Sequence, residues 1–147
     1  MTNFRFSLQR LLDLRRAAER AQAAATGRAT QETERCRELS SELASELDEL
    51  EQQAAATGVT PAGLRQAWGM TTDAARTRLE VAGADLRTAE EALRVEYDRL
   101  QDAHKARRTL ERLREKRELD WTAELSRKEQ AESDEIGRQR HGNEESQ

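Results

Sequence analysis

A heptad rhythm of aliphatic and small residues runs through most of the chain and is broken once, around the only proline. Stepping alternately three and four residues from Leu8 lands on Leu11, Arg15, Ala18, Gln22, Ala25, Ala29, Glu32, Cys36, Leu39, Leu43, Glu46 and Leu50. The same stepping from Leu79 lands on Ala82, Leu86, Ala89, Leu93, Glu96, Leu100, Ala103, Arg107 and Leu110. A spacing that averages about 3.5 residues keeps one stripe of a helix turned toward a partner helix. Such a chain folds by laying helices side by side, and its function lies in what those helices touch.

Pro61 sits within Thr57-Gly58-Val59-Thr60-Pro61-Ala62-Gly63. Gly58 can take the left-handed conformation that ends a helix, Thr60 is an N-cap candidate, and proline at a first helical position forfeits no intrahelical hydrogen bond. The fold class read from these signals is all-α, a long antiparallel two-helix coiled-coil hairpin with a short helix near the tip. Helix one is expected over about 4–56 and the tip over 57–72, with the short helix at about 61–68. A kink near Gly69-Met70-Thr71-Thr72-Asp73 should follow, capped by Thr72 or Asp73, then helix two over about 73–138. Residues 1–141 form one hairpin, and 142–147 are a disordered tail.

Pairing from the tip makes facing residue numbers sum to about 126. Leu47 and Leu50 then face Leu79, Leu39 and Leu43 face Leu86, Phe4 to Leu8 fall near Trp121, and the end of helix two overhangs. Beyond Leu110 the phase reads as slipping through Leu113, Arg117, Trp121 and Leu125, as a local stutter would produce. Seam positions filled by Arg15, Gln22, Glu32 and Glu96 weaken a two-helix stripe that is already thin, so partner proteins are expected to complete the structure.

Composition narrows the function classes. Of 147 residues, 37% are charged and 3% aromatic, too little bulky apolar matter for an ordinary globular core. The 25 basic and 29 acidic residues are interspersed, leaving a formal charge of -4 that points to no nucleic acid. No apolar run approaches the roughly 20 residues of a membrane span, and the N-terminus lacks the apolar block of a secretory signal. A cytoplasmic chain is expected, in agreement with a single cysteine, Cys36, which reads as a small buried seam residue.

Catalysis needs convergent groups in a water-excluded site, and a helix pair provides no such concavity. There is no Gly-rich phosphate loop, no Cys-x-x-Cys and no His-Glu-x-x-His; His104 and His141 stand far apart. No enzyme activity, cofactor or metal is expected. The basic run Lys105 to Arg117 is interrupted by Glu111 and Glu115, which suits a solvated or protein-docking helix face better than a DNA-reading one. Trp68 and Trp121 lie near opposite ends of the paired stripe, where each either covers the last seam leucines or anchors a partner.

The opening Phe4-x-Phe6-x-Leu8-x-x-Leu11-Leu12-x-Leu14-Arg15, with the late Lys105-Ala106-Arg107, Glu111-x-Leu113, Lys116, Trp121, Glu124, Glu129-Gln130 and Asp134-Glu135-Ile136, resembles the flagellar export family FliJ. Length and hairpin layout match as well. The resemblance implies a cytoplasmic component of the flagellar type III export apparatus, shaped like the central stalk of rotary ATPases and acting at the cytoplasmic face of the inner membrane. It implies that the end carrying both termini binds the ring of the export ATPase FliI and promotes its assembly. The residues concerned would be Phe4, Phe6, Leu8, Leu11, Arg15, Arg107, Glu111, Leu113, Trp121, Glu129, Asp134, Glu135 and Ile136. It also implies a contact with the cytoplasmic domain of the export gate FlhA through Ala75, Leu79, Ala82 and Leu86, of which Leu79 and Leu86 also fit the seam. Export chaperones are further expected partners. The competing readings are a structural coiled-coil spacer or scaffold with no ATPase partner, and an export chaperone.

Overall fold

The computed structural model describes residues 3–58 and 61–144, with side chains as far as Gln139. Two helices, α1 (Gln9–Ala56) and α2 (Ala62–Glu144), pack against each other as an antiparallel hairpin, and the described residues contain no strand. Contacts divide the chain into two units. One joins Met1–Glu19 with Ala103–Gln147, and the other is Arg20–Asp102.

The turn is built as the residue types dictate. Helix α1 ends at Ala56, and Gly58 follows with φ +62°, the left-handed conformation that glycine adopts without a Cβ penalty. The Pro61 carbonyl accepts the first bonds of α2, from the amides of Leu64 at 3.0 Å and Arg65 at 3.1 Å. Thr60, the expected cap, lies outside the described residues. Gly58→Ala places a Cβ on a left-handed backbone and should cost about 1–2 kcal/mol; urea unfolding monitored by helical circular dichroism measures it, and an unchanged midpoint would remove the need for glycine here.

The separate short helix expected over 61–68 is instead the opening of α2, which continues through Gly69–Asp73 without a break. The physical reason is visible in the threonines. Thr71 Oγ1 donates to the Ala67 carbonyl at 3.0 Å and Thr72 Oγ1 to the Trp68 carbonyl at 3.1 Å, so both hydroxyls are spent within a running helix rather than capping a new one. At the far end α2 runs to Glu144, past the expected stop near 138 and into the segment read as a disordered tail; residues 145–147 lie outside the description. At the near end the segment from Phe4 precedes α1, which starts at Gln9, and a turn forms where the Gln9 amide donates to the Phe6 carbonyl at 3.1 Å.

In the unit Arg20–Asp102, α2 uses the expected stripe. Ala75 and Ala82 are buried, and Leu79, Leu86, Ala89, Leu93, Glu96 and Leu100 are half-buried. On α1, Gln22, Ala25, Ala29, Cys36, Leu43 and Leu50 also face inward. The intervening positions do not. Glu32, Leu39 and Glu46 are exposed, and the residues one step later, Thr33, Ser40 and Leu47, take their places. Thr26 and Thr33 are buried at 5% and 1%. Their hydroxyls explain how a threonine sits in the seam: Thr33 Oγ1 lies 2.9 Å from the Ala29 carbonyl and 3.2 Å from the Ala89 carbonyl across the interface. Thr26 does the same with Gln22 at 2.9 Å and Glu96 at 3.3 Å. Each group is satisfied, so its burial carries little desolvation penalty.

Ion pairs flank this stripe in the expected antiparallel order, Arg37 with Glu90 at 3.4 Å, Arg78 with Glu46 at 3.1 Å and Arg76 with Glu51 at 2.7 Å. Being exposed, they fix register more than they add stability. Desolvation raises the half-buried Cys36 thiol above its ordinary range, helped by the Glu32 carboxylate nearby.

Candidate functional site: the unit that joins both chain ends

The same one-residue shift governs the unit formed by Met1–Glu19 and Ala103–Gln147. Leu12, not Leu11, is the seam residue: it is fully buried while Leu11 is 38% exposed. Arg15 and Ala18 are exposed, and their successors Arg16 and Glu19 turn toward α2. The end of the unit is aromatic. Phe6 is buried, the Arg117 guanidinium carbon stands 5.7 Å from its ring centroid, and Arg117 donates to Ser7 Oγ at 2.8 Å. Phe4 and Trp121 pack with ring centroids 6.0 Å apart and a 50° tilt. Such tilted pairs contribute about 0.5–1.5 kcal/mol beyond the area they bury. Trp121 thus covers the last seam residues in the way the sequence allowed.

Between these rings and the unit's other limit the seam is ionic. The Arg16 guanidinium donates to Glu111 Oε1 at 3.1 Å, Arg107 bridges Glu19 and Glu111, and His104 Nδ1 lies 2.9 Å from Glu19 Oε1. Arg108 approaches Glu111 and Glu115, each at 3.5 Å. Hydrogen bonds from Arg107 and then His104 hold the Glu19 carboxyl below its ordinary range against the opposing effect of desolvation. Arg16 and then Arg107 do the same for Glu111, and the two carboxylates hold Arg107 up.

The sign of the pH effect follows. A carboxyl whose folded pKa is depressed contributes stability above its unfolded pKa, near 4.5, and that contribution is lost as pH falls through the folded value. Stability should therefore hold from neutral pH down to about 5 and drop below it. Glu19→Gln should flatten the acid side of the profile, as read from urea midpoints at neutral and acid pH; an unchanged acid slope would mean that the network contributes nothing.

The expected ATPase-binding residues divide into two groups. Phe6 is buried, and Phe4, Leu8, Arg107, Glu111, Leu113 and Trp121 are half-buried in the packing of the unit. Leu11, Arg15, Glu129, Asp134, Glu135 and Ile136 are exposed. Two exposed leucines of this unit were not among the candidates: Leu14 at 67% and Leu119 at 70%. Leu14 shares a shallow depression with Arg10 and Asp13. Its signal was present in the sequence as a leucine off the heptad stripe within the opening motif. From Ser126 to Gln139 all side chains of α2 are exposed, so this stretch carries Glu129, Asp134, Glu135 and the 54% exposed Ile136 without packing against α1.

The expected gate-contact residues lie in the other unit. Ala75 and Ala82 are 2% and 4% exposed, and Leu79 and Leu86 are half-buried, so all four belong to the seam. Among the described residues no group of His, Cys, Asp and Glu is arranged to hold a metal ion, and no helix is long and apolar enough to cross a membrane.

A family model described as flagellar FliJ protein matches residues 4–146. No curated protein and no solved structure matches the chain.

Proposed function

Because the chain belongs to the flagellar FliJ family, and is with it a component of flagellar protein export, we propose that it couples the export ATPase to the export gate. The unit that joins both chain ends is the ATPase-binding end. The observation that carries this reading is the stretch of α2 from Ser126 to Gln139, exposed throughout and bearing Ile136, on a unit that also exposes Leu14 and Leu119 while its own seam is filled by Leu12, Phe6 and Trp121. Large apolar side chains left uncovered at separate points of one unit can each anchor a partner. In this reading FliI binds that end and is helped to assemble into its active ring. FlhA meets the segment from Ala75 to Leu86, where the edges of Leu79 and Leu86 are the parts accessible beside the seam. Location at the cytoplasmic face of the inner membrane would follow from those partners, as would contact with export chaperones.

Mixing the chain with its cognate ATPase tests the proposal. Hexamer formation and ATP turnover should both rise, and Leu14→Glu combined with Leu119→Glu should abolish the rise without loss of helicity. Turnover that stays flat, with no complex in sedimentation, would reject it in favour of a spacer or a chaperone.

A further inference from the structure

We propose that the unit Arg20–Asp102 associates with a second copy of itself, antiparallel, through the face of α2 that points away from α1. The face is defined by Met70, Ala74, Thr77, Val81, Ala84 and Thr88, spaced alternately four and three residues apart, and the same stepping reaches Glu91 and then Val95. That is a second heptad stripe on a helix whose first stripe, through Ala75, Leu79 and Ala82, is already packed. Met70 is 69% exposed and Val81 57% exposed. The threonines belong to the apolar face as well. Thr77 Oγ1 donates to the Asp73 carbonyl at 3.0 Å and Thr88 Oγ1 to the Ala84 carbonyl at 3.1 Å, which leaves their methyls as the outward groups. In a chain that is 37% charged, seven of these eight positions carry no charge, so the stripe is not an ordinary solvated helix back.

The charges beside the stripe select the occupant. In an antiparallel pairing centred between Ala82 and Gly83, Met70 faces the half-buried Val95 of the second copy, Ala74 faces Glu91, whose carboxylate stays with Arg94, Thr77 faces Thr88, and Val81 faces Ala84. The flanking positions then meet as Glu80 with Arg87, Asp73 with Arg94 and Arg78 with Asp85, each pair opposite in sign and each occurring twice by the two-fold symmetry. The parallel alternative keeps one opposite pair, Asp73 with Arg78, but brings Glu80 against Asp85 and Arg94 against Arg99, like against like. All of these flanking side chains are exposed. Those already paired within the chain, Arg78 with Glu46 at 3.1 Å, Asp73 with Arg76 at 3.1 Å, and Arg94 with Glu91 at 2.7 Å and Asp98 at 3.6 Å, form exposed contacts that can be shared with or redirected to a second copy at small cost. The self-complementarity is a property of residues 73–95 alone and does not depend on any export partner.

Sedimentation equilibrium of the full chain, alone and across a wide concentration range, reads the association directly. A reversible monomer–dimer equilibrium is expected, and Val81→Asp should abolish it with helicity intact. Glu80→Arg should weaken the dimer about tenfold, since two attractive pairs become repulsive, and adding Arg87→Glu should restore it. In a Cys36→Ser background, the pair Thr77→Cys and Thr88→Cys should give a disulfide-linked dimer under mild oxidation, while Thr77→Cys alone should not. The proposal is overturned by a chain that stays monomeric at millimolar concentration, by cross-linking of Thr77→Cys alone, or by a charge swap that fails to restore association. Because ATP turnover is not the readout, these results stand apart from the test of partner binding.

Discussion

Leu12→Ala lowers the free energy of unfolding by about 2–4 kcal/mol, whereas Leu11→Ala, one residue away, lowers it by less than about 1 kcal/mol. The two residues have the same chemistry and sit on the same helix turn, so only their facing differs. Leu12 is fully buried against α2 and Leu11 is 38% exposed. Truncating Leu12 removes transferred apolar surface and leaves a cavity that two helices, pinned on one side by Phe6 and on the other by the Arg16–Glu111 pair, can close only in part. A chain of this size has a total stability of only about 5–15 kcal/mol, so the loss is a substantial share. Urea midpoints of the two variants, followed by helical circular dichroism, decide the matter. Equal effects, or a larger one at Leu11, would place the seam one residue earlier and undo the packing described for this unit.

The same pair of residues shows what could and could not be read beforehand. On α2 all ten heptad positions from Leu79 to Leu110 face inward, because every leucine between those limits falls on that stripe, while the second stripe through Val81, Ala84 and Thr88 carries smaller residues. On α1 they do not coincide. Leu11 and Leu39 invite burial and are exposed, while Thr26, Thr33 and Ser40 occupy the stripe. A heptad rule carried on from Leu8 through Leu11 and Leu39 passes over Thr33, since it cannot know that a carbonyl four residues back and another across the interface will satisfy the hydroxyl. The turn was legible in full at Gly58, where backbone chemistry permits few answers. The new helix start expected at Gly69–Asp73 is absent for a related reason, with Thr72, a candidate cap, bonding back to the Trp68 carbonyl of a running helix. Site residues followed the same division. The Phe4–Trp121 contact follows from the hairpin register, but which leucines of the opening motif stay uncovered depends on a phase that only packing resolves.

Ending the chain after Leu125 should leave the remaining fold almost unchanged yet remove the rise in ATP turnover. The stretch from Ser126 to Gln139 has all its side chains exposed and does not pack against α1. The melting temperature of the shortened chain should therefore shift by no more than about 2 °C. A helix without packing is held only by its backbone ladder and contacts such as Gln139 with Glu135 at 3.3 Å, so its amides should exchange far faster than those of the paired region. Binding must then supply the ordering entropy of this segment, about 1–2 kcal/mol per residue fixed. Few of its residues can return that much. Ile136, 54% exposed among charges, is the one large apolar side chain in it, and Glu129, Asp134 and Glu135 can pair with basic groups on a partner. Ile136→Asp should accordingly weaken ATPase binding by about tenfold or more while leaving the melting curve in place. Full stimulation of turnover by the shortened chain would show that the unpaired end of α2 is not the contact, and would shift the assignment to Leu14 and Leu119 alone.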